Sequence, residues 1–72
     1  MPPRKTISDA EIGALVREMR KKKEVGQPEL GEAIGVSEQM VQKYETGTSP
    51  LTVVRLCAIA ALLKCKVTDL IP

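Results

Sequence analysis

The sequence predicts an all-α domain of five helices. Apolar residues recur at i, i+3, i+4 and i+7 in successive segments, and no segment alternates apolar with polar residues as a half-buried strand would. Glycines, prolines and capping residues separate those segments at short intervals, which leaves connections of only a few residues. At 72 residues the chain makes one domain. A domain so small buries only about 60% of the surface its unfolded chain exposes, so its core is thin. Tyr44 is the one aromatic residue, and the core is therefore expected to be aliphatic.

Residues 1–7, with Pro2, Pro3, Arg4 and Lys5, read as a flexible basic arm, and residues 8–72 as the folded domain. Ser8 and Glu11 form a capping-box pattern, so helix 1 begins near Asp9. Ile12, Leu15, Val16 and Met19 make its buried stripe, and cationic residues suit its end near Lys23 or Glu24. Gly26 marks a break. Gln27, Pro28 and Glu29 open helix 2, because a proline in the first turn removes no intrahelical hydrogen bond. Leu30, Ala33 and Ile34 form its inner face, and Gly35 stops it with a positive φ. Val36 packs inward. Ser37 is the N-cap of helix 3, whose inner face is Met40, Val41 and Tyr44 and whose C′ residue is Gly47. Thr48, Ser49 and Pro50 form a loop. Thr52 caps helix 4, which runs to about Lys64, with an inner stripe expected at Val53, Leu56, Cys57, Ala60 and Leu63. Ile59 and Leu62 broaden that stripe. A short final turn from Thr68 to Ile71 completes the five.

Composition excludes several chemistries. Without histidine, the commonest general base and metal ligand are missing. Cys57 and Cys65 are too few for a disulfide framework and fit no zinc spacing. No metal, cofactor, enzymatic activity or small-molecule ligand is expected. Cys57 falls on the expected buried stripe, and Lys64 and Lys66 would lower the pKa of Cys65. The longest apolar run, residues 56–63, is too short to cross a bilayer, and the amino terminus lacks the apolar core of a signal peptide. A reducing cytoplasm is the expected setting. The net charge of +2 is only mildly basic. Its distribution says more, since Arg17, Arg20, Lys21, Lys22 and Lys23 fall in one segment. Such a run complements a helix dipole and aids solubility, and it equally suits phosphate contact. Sequence alone leaves open the direction in which each points.

Residues 27–47 join two short helices through a three-residue turn containing glycine, a helix-turn-helix candidate. Gly31 supplies a small residue where the helices cross. Gly35 supplies the left-handed turn position, and Leu30, Ile34, Val36, Val41 and Tyr44 lock the pair onto the rest of the domain. Glu38, Gln39, Gln42, Lys43 and Thr46 then face outward. The stretch Q-P-E-L-G-E-A-I-G-V-S, followed by V-Q-K-Y-E-T-G, resembles the phage-repressor and Cro type of helix-turn-helix regulators, the Xre family. The likeness extends upstream to V-R-E-M-R and downstream to L-C-A-I-A-A-L-L and V-T-D-L. Departures are Gly31 in place of the commoner alanine, Gly26 where Ser or Thr usually caps, and acidic Glu38. The resemblance implies a compact, five-helix, lambda-repressor-like fold in a cytoplasmic protein, prokaryotic or phage-encoded and nucleoid-associated. It implies a sequence-specific, double-stranded-DNA-binding transcriptional regulator, a repressor more readily than an activator.

The major groove of B-DNA admits one α-helix and shows a distinct donor and acceptor pattern at each base pair. Helix 3, residues 37–46, is expected to enter it. Gln39 and Gln42 are expected base readers, because glutamine donates and accepts at once and pairs with adenine. Glu38 suits a cytosine amino group, or else serves only the helix dipole. Lys43 and Thr46 are expected at phosphates, with Ser37, Ser49 and the helix starts near Gln27 and Thr52. The resemblance further implies that Gln27 bonds a phosphate and braces a glutamine of helix 3. It also implies that Arg20 pairs with Glu45 as a structural tie between helix 1 and the end of helix 3.

Val54, Ala58 and Ala61 continue apolar surface around the side of helix 4. Either that helix is buried on most sides, or these residues, with Leu70 and Ile71, form a self-association patch. A homodimer, at least on a palindromic operator, is expected because half-sites one helical turn apart match a two-fold protein. The reading from a different class is an antitoxin or bridging protein that uses the same fold mainly to hold another protein.

Overall fold

A computed structural model of the chain describes residues 7–72. The expected basic arm lies, but for Ile7, outside the described residues. Four α-helices follow in order: α1 Asp9–Lys22, α2 Gln27–Ile34, α3 Glu38–Thr46 and α4 Val53–Leu63. Among the described residues there is no strand. The expected fifth helix is instead a single 3-10 turn, Val67–Leu70. Four residues are too few for an α-helical ladder, and the tighter i→i+3 pattern takes its place. The Asp69 N–H donates to the Lys66 carbonyl, and the Lys66 N–H donates to the Asp69 carboxylate, each at 2.9 Å.

Local chemistry sets most of the helix ends. The Glu11 N–H donates to Ser8 Oγ at 3.1 Å while the Ser8 N–H reaches Glu11 Oε1 at 3.4 Å, the reciprocal box that starts α1. Ser37 and Thr52 each accept one backbone N–H, from Met40 and Arg55, both at 3.1 Å. Gly26 begins α2 with no side-chain cap. At its carboxyl end α4 turns on Lys64 at φ 54°, a left-handed residue with no glycine to mark it.

One aliphatic cluster holds these elements together: Val16, Leu30, Val41, Leu56, Ile59, Ala60, Leu63 and Leu70. α3 packs on α1 and α2, α2 packs on α4, and the 3-10 turn closes over α1 and α4. α3 therefore rests on its two predecessors rather than on α4. The α1–α3 approach is set by Gly13. A Cβ there would collide with the Tyr44 carbonyl oxygen and lie 2.7 Å from that of Glu45.

The inner face of α4 is rotated from the expected one. Leu56, Ile59, Ala60 and Leu63 are buried, whereas Val53 is 75% exposed and Cys57 is exposed. The two stripes share three residues, and choosing Ile59 over Cys57 buries the larger apolar side chain. α4 is consequently not enclosed on most sides: Val54, Ala58 and Ala61 face out. Leu70 does not join them, for it is wholly buried. The 3-10 turn folds its side chain back between α1 and α4, so Leu70 is a core residue and only Ile71 of that pair reaches the surface. Ala33 of α2 is exposed as well, with Leu30 and Gly31 forming the buried side. Around Cys65, burial pushes the thiol above its ordinary pKa, Asp69 pushes the same way and Lys23 opposes them. The lowering expected from Lys64 and Lys66 is thus reversed. No helix among the described residues is long and apolar enough to cross a membrane.

Replacing Gly13 tests how tightly α1 and α3 are seated. Alanine is the better helix former by about 1 kcal/mol, yet Gly13→Ala should destabilise the domain by about 1–3 kcal/mol, the usual range for overpacking. Urea denaturation measures this, and a stabilised variant would show that the two helices separate freely.

Candidate nucleic-acid interface

Between α2 and α3 the chain turns in three residues. Gly35 takes φ 76° and ψ 32°, and the Val36 N–H donates to the Gly31 carbonyl at 2.8 Å. A Cβ on Gly31 would lie 2.7 Å from the Val36 carbonyl oxygen, so the small residue serves the turn rather than the middle of the helix crossing. Arg55 of α4 donates from Nη1 to the Ile34 carbonyl at 2.8 Å and so satisfies an orphan acceptor at the end of α2. Nothing in the local sequence marks this contact, because the partners are 21 residues apart.

α3 is anchored from behind. Val41, Tyr44 and Glu45 are its buried residues, and Met40 is half-buried. Arg20 grips Glu45 with two bonds: Nε donates to Oε2 at 2.6 Å and Nη2 donates to Oε1 at 3.1 Å. A third guanidinium donor, Nη1, bonds the Val25 carbonyl at 2.8 Å. Gln27 Nε2 donates to Glu45 Oε1 at 3.0 Å, so Gln27 braces a glutamate of α3 and not a glutamine. The pair is 7% and 5% exposed, and no buried side-chain polar atom is left without a partner among the described residues. One network thereby joins α1, the α1–α2 loop, the start of α2 and the end of α3.

The opposite side of α3 is open. Gln39, Gln42 and Lys43 are exposed and Glu38 is partly so, and no hydrogen bond or ion pair engages any of their side chains among the described residues. Gln39 and Gln42 are three residues apart on one helix, hence on one edge. Ser37 and Thr52 accept bonds as caps but keep their hydroxyl protons uncommitted, and one Nε2 hydrogen of Gln27 is also spare. Thr46 differs. Its hydroxyl lies 3.0 Å from the Gln42 carbonyl and 2.9 Å from the Thr48 hydroxyl, so its donor is spent within the domain. The Ser49 N–H is likewise used, on the Lys43 carbonyl at 3.2 Å.

Next to this edge lies an open hollow of about 230 Å³, lined by Arg17, Gln27, Gln42, Glu45 and Thr46. Arg17 borders it from α1, and borders a second hollow with Ala14, Glu18, Lys21 and Glu45. The helical spacing from Arg20 was the available signal, since a residue three positions earlier lies on an adjoining face of α1.

A family model described as helix-turn-helix matches residues 16–70. The chain is 45% identical over 56 residues to the uncharacterized HTH-type transcriptional regulator y4wC of Sinorhizobium fredii (strain NBRC 101917 / NGR234), covering 78% of this chain and 39% of that protein. It spans about two fifths of the length of the first curated relatives it matches. The clp gene regulator ClgR of C. glutamicum superposes with a TM-score of 0.84 at 27% identity, over 92% of this chain and 86% of that one. The restriction-modification controller protein C.AhdI of Aeromonas hydrophila shares the fold at a TM-score of 0.80 and 24% identity, over 86% of this chain and 94% of that one.

Removing one partner of the buried pair strands the other. Glu45→Ala should cost about 3–5 kcal/mol of stability, because an uncompensated guanidinium remains inside the protein. Chemical denaturation measures the loss; full stability in the variant would mean that Arg20 finds water instead.

Proposed function

The chain belongs to the helix-turn-helix family, and from that membership and its geometry we propose that it binds double-stranded DNA as a transcriptional regulator, with α3 lying in the major groove. The observation that carries this reading is the free edge of α3. The side chains of Glu38, Gln39, Gln42 and Lys43 have no partner among the described residues, although the helix behind them is fixed by a buried ion pair and by packing. Gln39 and Gln42 present both donors and acceptors there, the pattern that reads adenine, and Glu38 can only accept while ionised, which suits cytosine. Ser37, Thr52 and Gln27 retain hydrogen-bond donors for phosphate oxygens, and Lys43 adds a charge. Ser49 still has its hydroxyl for such a contact. Thr46 could donate to a phosphate only by giving up a bond within its own helix.

Binding would be two-fold. The outer side of α4 exposes Val53, Val54, Cys57, Ala58 and Ala61, with Ile71 near the carboxyl end also exposed. Such a strip, small at its centre, suits the close approach of a second copy, and paired half-sites about 34 Å apart would place two α3 helices in successive turns of the groove. The likeness to phage repressors favours repression by occupancy of an operator.

Titration against a selected duplex at several salt concentrations tests the DNA reading. The log–log slope should be about −0.9 for each phosphate neutralised. Gln39→Ala or Gln42→Ala should alter preference at one base pair by about 1–3 kcal/mol, and Lys43→Ala should weaken all sequences alike. Unchanged preference in both glutamine variants would sink the assignment of α3 as the reader. For assembly, sedimentation on a palindromic duplex should show two copies of the native chain but one of Val54→Asp, a change at a position 80% exposed that leaves folding intact. A native chain that stays single on that duplex would refute the α4 interface.

A further inference from the structure

We propose that Arg17 of α1 is a phosphate-contacting residue that extends the DNA surface past the end of α3; this rests on the DNA-binding reading above. The five cationic residues between positions 17 and 23 do not form one patch. Arg20 is buried against Glu45. Lys22 lines a different hollow, with Leu15, Met19 and Asp69, on the side of the 3-10 turn. Lys23 stands near enough to Cys65, at the end of α4, to act on its thiol. Arg17 shares a hollow with Gln42, and three elements meet around it: α1 through Arg17, the start of α2 through Gln27, and α3 through Gln42, Glu45 and Thr46.

Arg17 is exposed and has no ion-pair or hydrogen-bond partner among the described residues. The carboxylate beside it does not claim it. Both oxygens of Glu45 are occupied, Oε2 by Arg20 and Oε1 by Arg20 and Gln27, and its charge is balanced by Arg20. Glu18 and Lys21 border the second hollow that Arg17 lines, and no ion pair joins Glu18 to Arg17 among the described residues. The guanidinium is therefore free to serve an external anion.

A cation belongs at this place for a further reason. The carboxyl-terminal half of α3 points the negative end of its dipole toward this region, which on its own would repel a DNA backbone. A fixed cation at Arg17 reverses the local sign. With five donors in a planar fork it matches a phosphate, and the spare Gln27 hydrogen opens on the same hollow. If α3 lies in the groove with Gln42 toward the bases, the adjoining strand runs past Arg17.

The test compares two substitutions that change net charge equally. In the full chain, Arg17→Gln should flatten the log–log salt slope by about 0.9 and weaken binding to all duplexes alike, whereas Lys22→Gln should leave the slope as it is. Arg17→Lys should restore the slope, because it restores the charge. Equal changes in the two glutamine variants would overturn the proposal by showing that only total charge matters. A melting temperature lowered in Arg17→Gln with the slope unaltered would overturn it too, by making Arg17 a structural partner of Glu45. If the native chain shows no salt-dependent binding to any duplex, the DNA reading itself fails, and that result is distinguishable from the others before any variant is made.

Discussion

The Arg20–Glu45 ion pair is the constraint on which the rest of the structure turns. Set against a well-packed apolar isostere, a buried pair of this kind contributes little net stability. Its contribution here is direction. Apolar contacts tolerate small rotations of a helix, but two bonds at 2.6 and 3.1 Å to one carboxylate do not. A one-residue shift in α3 would turn it by about 100° and carry Glu45 away from Arg20. The same rotation would take Gln39 and Gln42 off the free edge. The pair thus fixes which side chains α3 offers to the outside, and Gln27 and the Val25 carbonyl extend that control to the start of α2.

Two close backbone approaches complement it. Gly13 lets the last turn of α3 sit against α1, and Gly31 lets the turn at Val36 fold over α2. Neither approach leaves room for a side chain, so α3 is held against two neighbouring backbones and not merely against their side chains. Because α3 rests on α1 and α2 and not on α4, the core is completed without covering its far side. The thin aliphatic core is enough because the anchoring is local and directional. A chain of this size has only a few kcal/mol of stability to distribute.

How far the sequence disclosed this depends on how local the cause is. The starts of α1, α3 and α4 were legible because Ser8, Ser37 and Thr52 act on backbone groups two or three residues away. The turn at Gly35 was legible for the same reason, as only glycine takes that φ freely. The inner face of α4 was not, because nearly every position of that helix is apolar and two stripes compete. Only the packing of α2 and the 3-10 turn decides between Cys57 and Ile59. Leu70 was misplaced by the same ambiguity, since an apolar residue near the chain end reads equally as patch or core. Arg55 on the Ile34 carbonyl and Gln27 on Glu45 are long-range choices with no local mark. Lys64 ends α4 in a left-handed turn with no glycine, so the helix stops where tertiary packing stops it. The directions of Arg17, Lys22 and Lys23 follow from helical phase only once the buried face of α1 is known.

A nine-residue helix such as α3 would scarcely form alone in water, since nucleation is costly and few propagating bonds repay it. Its existence depends on the positions that face inward: Val41, Tyr44 and Glu45, with the Ser37 cap and Gly47 at its two ends. The outward positions contribute almost nothing to that balance. The residues that stabilise α3 and those it presents outward are therefore interleaved but separate sets along the same 3.6-residue period. The inward set must match α1 and α2 within ångströms, whereas Glu38, Gln39, Gln42 and Lys43 can change with little effect on folding. A helix divided in this way can change its outer face without disturbing its inner one, which is why so polar an edge can be mounted on so small a core.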